Sequence, residues 1–76
     1  MKTFIIAKSE YMLEEQDMFK VRAKNLVSCL EKEEVFWSKE EGQSDDQFLE
    51  DCRDANGDGM PFITILESKS GKKVFG

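Results

Sequence analysis

The hydrophobic positions of this chain switch period twice along its length. Residues 3–7, TFIIA, are β-branched and aromatic and read as a strand. A polar, acidic stretch follows, in which Tyr11, Met12 and Leu13 either extend that strand or cross a bend. Residues 18–24, MFKVRAK, then alternate: Phe19, Val21 and Ala23 to one face, Lys20, Arg22 and Lys24 to the other. That period of two predicts a half-buried strand with a wet basic face, paired antiparallel with the first.

Beyond residue 24 the period becomes helical. Asn25 has the chemistry of an N-cap, since its short side chain can accept from a free backbone N–H of the first turn. Leu26, Cys29, Leu30, Glu33 and Trp37 follow at helical spacing, which predicts a helix from Asn25 to about Glu41 with Gly42 just past its end. Val35, Phe36 and Trp37 strain that reading, because three adjacent apolar side chains cannot all face one core. Either the helix bends there or one ring stays partly exposed; Trp37 is expected as the core plug and Phe36 as the exposed ring. Ser44 opens a second helix, with Ser44 and Gln47 spaced as a capping box and Asp45 and Asp46 in the first turn, where the helix dipole favours them. Its apolar stripe is Phe48, Leu49 and Cys52, and Asn56-Gly57 should end it.

The last third returns to strands. Pro61 cannot donate to a ladder and so belongs at a strand start or an edge. FITIL, residues 62–66, is the strongest strand signal in the chain; Ser70-Gly71 reads as a turn and KVF as a short edge strand. Strand, strand, helix, helix, strand, strand predicts a single α+β domain over residues 1–76: an antiparallel sheet with two helices packed on one face. The short last strand offers an edge through which two copies could pair.

Composition narrows what such a domain can do. Seventy-six residues without histidine lack the side chain that most readily moves protons near neutral pH, and the usual partner in zinc sites and nucleophilic triads. The apolar run FIIA is too short for a signal peptide or a membrane span, and two cysteines make no disulfide framework, so a reducing, cytoplasmic setting is expected. The net charge of −5 is uneven. Residues 25–58 carry eleven acidic against three basic side chains, while residues 1–24 carry four against five and residues 59–76 one against three. An acidic middle repels nucleic acid and suits solubility or a basic protein partner, and no membrane partner is expected.

One short motif suggests a metal. In DANGDG, residues 54–59, Asp54, Asn56 and Asp58 stand at alternate positions before a glycine, which resembles the first half of an EF-hand or dockerin calcium loop. That resemblance implies a divalent-cation site on Asp54, Asn56 and Asp58 as the alternative function. The second half departs from it: the twelfth position, where the family needs a bidentate carboxylate, is Ile65, and the eighth is Pro61. A helix C-cap followed by a tight turn spells the same letters.

No other group is arranged for catalysis. Glu33-Glu34 and Glu40-Glu41 read as solvated pairs, whereas acid–base work needs a carboxylate in an apolar pocket. Cys29 and Cys52 lie on apolar stripes without a base to activate them. Lys20, Arg22 and Lys24, with Lys8, could hold phosphate, but no glycine-rich loop accompanies them. No catalytic residue, cofactor or resident metal is assigned.

The acidic helices remain. A helix rises about 1.5 Å per residue, and duplex DNA shows one charge per about 1.7 Å of axis, so closely spaced helical carboxylates approach the charge density of nucleic acid. The expected function is therefore a non-enzymatic module that binds a basic protein surface through Glu33, Glu34, Glu40, Glu41, Asp45, Asp46, Glu50 and Asp51, with Phe36 as an aromatic anchor and nucleic-acid mimicry as one mode. Small, acidic, histidine-free and expected to be complete from Met1, the chain is similar in type to the accessory and inhibitor proteins that bacteriophages and mobile elements encode.

Overall fold

The computed structural model describes residues 1–9, 16–58 and 61–76. The expectations for Tyr11, Met12 and Leu13 and for a turn at Gly59 lie outside the described residues. The protein is a small α+β domain of one four-stranded antiparallel sheet and two helices. The elements are β1 (Lys2–Ser9), β2 (Gln16–Ala23), α1 (Leu26–Leu30), α2 (Asp45–Ala55), β3 (Phe62–Glu67) and β4 (Lys73–Phe75). In space the strands run β2-β1-β3-β4. The two most apolar strands, β1 and β3, therefore lie in the middle, and the alternating strand β2 lies at an edge.

Register decides which side chains meet. Phe4 pairs with Val21 and Ile6 with Phe19 across β1 and β2, while Ile6 pairs with Ile65 across β1 and β3. Phe4, Ile6, Val21, Ala23, Ile63, Ile65 and Phe75 share the inner face and are buried. Cys29 and Leu30 of α1 and Phe48 and Cys52 of α2 join them in one core cluster. Alternation sends Thr3, Ile5, Ala7, Met18, Lys20, Arg22, Thr64 and Leu66 to the other face. The molecule measures 38 × 30 × 19 Å, and the short dimension fits two layers, a sheet and its helices.

Both expected N-caps form. Asn25 Oδ1 accepts from the Ser28 N–H at 2.9 Å, and Ser44 Oγ accepts from the Gln47 N–H at 3.2 Å. The capping box is only half made, because the Gln47 amide donates to Asp51 Oδ1 at 2.9 Å instead of reaching back. Turning its Nε2 donor toward the Asp51 carboxylate one turn ahead draws the Gln47 side chain away from the Ser44 N–H, from which its Oε1 would have to accept to close the box.

The first helix is far shorter than its periodicity predicts. It ends at Leu30, and residues 31–36 continue as turns, with the Lys32 N–H on Cys29 O and the Val35 and Phe36 N–H groups on Lys32 O. Two forces oppose extension. A helix running to Glu41 would set Glu40 and Glu41 against the negative end of its own dipole. It would also turn only part of Val35-Phe36-Trp37 inward. Breaking the helix buries both Val35 and Phe36, at 3% and 8% exposure, and leaves Trp37 at 38%. The expected roles of the two rings are thus reversed: Phe36 is the core ring and Trp37 the exposed one.

The second helix ends where its sequence says, at Asn56 followed by Gly57 with φ +79°. Asn56 then does more than end a helix. Its Nδ2 donates to Ile63 O at 2.9 Å, and its Oδ1 accepts from the Ile63 N–H at 2.7 Å. β4 pairs with β3 only at Ile65 and Leu66, so the Asn56 amide takes the place of a missing strand neighbour at Ile63. Replacing it strips both partners from a part-buried backbone unit. Asn56→Ala should cost about 2–3 kcal/mol in urea denaturation. Asn56→Asp, which keeps an acceptor and loses the donor, should fall between Asn56→Ala and the native protein.

Candidate functional site

The acidic side of the molecule is built from residues 31–44 and from α2, and side chains tie the two together. The Lys39 N–H donates to Glu31 Oε2 at 3.2 Å, and Lys39 Nζ reaches Asp45 Oδ1 at 2.6 Å. The Glu40 N–H donates to Gln43 Oε1 at 3.1 Å, and Gln43 Nε2 donates to Asp51 Oδ2 at 2.7 Å. The segment after α1 is thereby held on α2 from its first residue, Asp45, to Asp51. The Asp45 hydrogen bond raises the Lys39 pKa, so that cation stays charged.

These bonds sort the expected partner-binding residues into two groups. Asp45 is paired with Lys39, and Asp51 accepts from both Gln43 and Gln47; these two build the face. Glu33, Glu34, Glu40, Glu41, Asp46 and Glu50 are exposed and take no part in an ion pair among the described residues. Asp46, Glu50 and Asp54 recur at every fourth position of α2 and form one outward stripe, a rise of about 6 Å per step. Phe36 does not belong to the surface. Its ring is buried, edge-on to Phe75 at 5.6 Å and to Trp37 at 5.4 Å between centroids. The half-open ring beside the carboxylates is Trp37, which also meets Phe48 edge-on at 6.5 Å. Its amphipathic ring is buried on one side and open on the other, as interface anchors are.

Sequence reasoning missed Gln43 and Lys39, which position the face. A signal was thin: their partners lie six to eight residues away across a turn that periodicity does not register.

Of the alternative cation loop, residues 54–58 and those from Pro61 onward are described. Asp54 and Asp58 are exposed, but the Asn56 oxygen already accepts from Ile63. Ile65, at the position that would need a carboxylate, is fully buried in the inner face. Among the described residues no group of three or more histidine, cysteine or acidic side chains is placed to hold a metal ion. A ligand that prefers the native state raises its melting point. Calcium at about 2 mM should leave the thermal midpoint unchanged; a rise would show that the loop rearranges around the ion.

Cys29 and Cys52 are both buried and unpaired. Burial pushes each thiol up to about 11 from an ordinary value of 9.0; Glu34 adds to the rise at Cys29 and Asp51 at Cys52. Neither is a nucleophile near neutral pH. The unfolded thiols ionise from about pH 9 and the folded ones only near 11, so raising pH through that window favours unfolding. Iodoacetamide at pH 8 should modify the unfolded chain readily and the native protein at least about a hundredfold more slowly, read by mass spectrometry.

Among the described residues, no helix is long and apolar enough to cross a membrane. No protein-family model matches the chain, and comparison with curated proteins and with solved structures also found no match.

Proposed function

We propose that the protein is a non-enzymatic binding module whose acidic helical side engages a basic surface of a partner protein. The observation that carries this reading is the grouping of open carboxylates. Asp46, Glu50 and Asp54 line the outer stripe of α2, and Glu40 and Glu41 sit on a segment pinned to the same helix. In a ββααββ domain with both helices on one face of the sheet, α2 lies outermost over the core and its outer stripe is free to meet a partner. The groups that hold the face, Lys39, Gln43 and Gln47, are separate from the groups that would bind. The charge is thus held in place before a partner arrives, which lowers the ordering cost of association. Trp37 supplies the apolar anchor that Phe36 was expected to give.

Spacing of about 6 Å along α2 sets carboxylates at intervals that a groove lined with lysine and arginine can match. A nucleic-acid-binding protein inhibited by occupation of its groove is the partner class this favours, in line with an accessory or inhibitor protein acting in the cytoplasm.

The test is capture from host lysate by the native protein and by a D46N/E50Q/D54N variant, with each captured protein purified and titrated. The substituted side chains are exposed, so the variant should fold as the native protein does. A partner of this kind should bind at least about tenfold more weakly to the variant and should be displaced by duplex DNA. Its affinity should also fall steeply between about 50 and 500 mM salt as the charges are screened. Equal affinity for the variant, or affinity flat in salt, would refute the reading.

A further inference from the structure

Among the described residues, the helices join the inner face of the sheet in the core cluster and leave the outer face bare. On the bare face Ile5, Ala7, Thr64 and Leu66 are only half-buried and Met18 is 62% exposed. None of Ile5, Ala7, Met18 or Leu66 packs against the core cluster. This matters because β1 and β3 carry apolar side chains on both sides: Phe4-Ile5-Ile6-Ala7, and Ile63 and Ile65 inward with Leu66 outward. An antiparallel sheet with one solvated face normally alternates apolar inward and polar outward, and the outward Ile5, Ala7 and Leu66 break that alternation. The edge strand β2, by contrast, alternates apolar and charged residues.

Charge frames the apolar centre. One row crosses all four strands as Lys20, Ile5, Leu66 and Lys73. Arg22 stands two residues from Lys20 on the same face and opposite Thr3. Lys20, Arg22 and Lys73 are exposed, and neither ion pair among the described residues uses them. The acidic side chains of the described strands, Asp17 and Glu67, fall on the inner register, opposite Lys8 and Phe4. The bare face is therefore basic at both margins and apolar between them. Strands about 4.8 Å apart put those margins roughly 14 Å from each other, slightly more than the 10–12 Å width of a helix with its side chains.

We propose that this face docks an acidic amphipathic helix of a partner protein, laid along the strands with its apolar stripe on Ile5, Ala7, Met18 and Leu66. Its flanking carboxylates meet Lys20 and Arg22 on one side and Lys73 on the other. The proposal is independent of the acidic-face reading, since it concerns the opposite surface. A second copy packed face to face would set these cations against one another. Nucleic acid stacks its bases on open aromatic rings, and none stands in the row of Lys20, Ile5, Leu66 and Lys73; the exposed ring of β3, Phe62, lies at the strand's start beside Gly57. Anionic lipid would meet three cations on a body of net charge −5.

The test uses the full chain, labelled for backbone NMR, and a fluorescent helical peptide of about 18 residues with a leucine stripe flanked by glutamates, long enough for the roughly 26 Å of β1. Saturable binding below about 100 µM, with shifts at Ile5, Ala7, Lys20 and Leu66, is the expected result. K20E/R22E should weaken it at least about tenfold while the circular dichroism spectrum stays native; D46N/E50Q/D54N should leave it unchanged. A scrambled peptide of the same composition should bind at least about tenfold more weakly. Shift mapping on the native protein locates the site even if a variant misfolds. Equal binding of the scrambled peptide, or shifts confined to α2, would overturn the proposal. So would failure of the peptide with an RNA oligonucleotide, phosphatidylserine vesicles or a second copy occupying the face instead.

Discussion

The burial of Phe48 and Cys52 of α2 in one cluster with Phe4, Ile6, Ile63 and Ile65 holds the domain together. A sheet of four strands has two faces to cover, and the described helices amount to five residues in α1 and eleven in α2. Those helices contribute Cys29, Leu30, Phe48 and Cys52 to the cluster that lines the inner face. The shortage of helix sets most other features: how tightly residues 31–44 must fold against α2, why Val35 and Phe36 are drawn inward, and why Ile5 and Leu66 stay half-open. It also divides the charge. The elements that cover the core carry most of the carboxylates outward, while the uncovered strands present lysine and arginine.

The segment after α1 shows how local and tertiary demands trade against each other. Helix propensity and the positions of Leu26, Cys29, Leu30 and Trp37 favour a long helix. Burying Val35 and Phe36 together requires that the helix stop. Each ring or branched side chain removed from water is worth about 1.5–3 kcal/mol, more than the few tenths gained by one or two further helical residues. Once the helix stops, its freed backbone needs partners. The Lys39 and Glu40 N–H groups find them in Glu31 and Gln43. The same hydrogen bonds fix the acidic surface, so a packing requirement in the core shapes the face outside it.

Much of this was legible from the residues alone. The alternation of β2, the caps at Asn25 and Ser44, the stop at Asn56-Gly57 and the strong strand at residues 62–66 rest on local chemistry, and local chemistry decided them. The length of α1 and the exchange of Phe36 for Trp37 were not legible, because periodicity records which positions can share a face and not how many the core has room for. The bond pair between Asn56 and Ile63 depends on β4 being too short to reach Ile63, a fact of sheet assembly that no window of sequence contains. The bare face lay partly in view: FIIA and FITIL are apolar on both sides of the strand, and among the described residues there is no second set of helices to cover them.

Opposite charge on opposite sides raises the question of whether copies would stack, acidic helices on basic sheet. The surfaces fit by charge and fail by shape. The outward stripe of α2 is Asp46, Glu50 and Asp54, with its apolar residues Phe48 and Cys52 turned into the core. A second copy's α2 would bring carboxylates to Lys20, Arg22 and Lys73 but nothing apolar to Ile5, Leu66 and Met18. Those side chains would then be desolvated against carboxylates, which cost several kcal/mol each to bury without a partner. Only a helix that is acidic at its flanks and apolar along its middle satisfies both parts of the face at once, and neither described helix of this chain has that pattern outward.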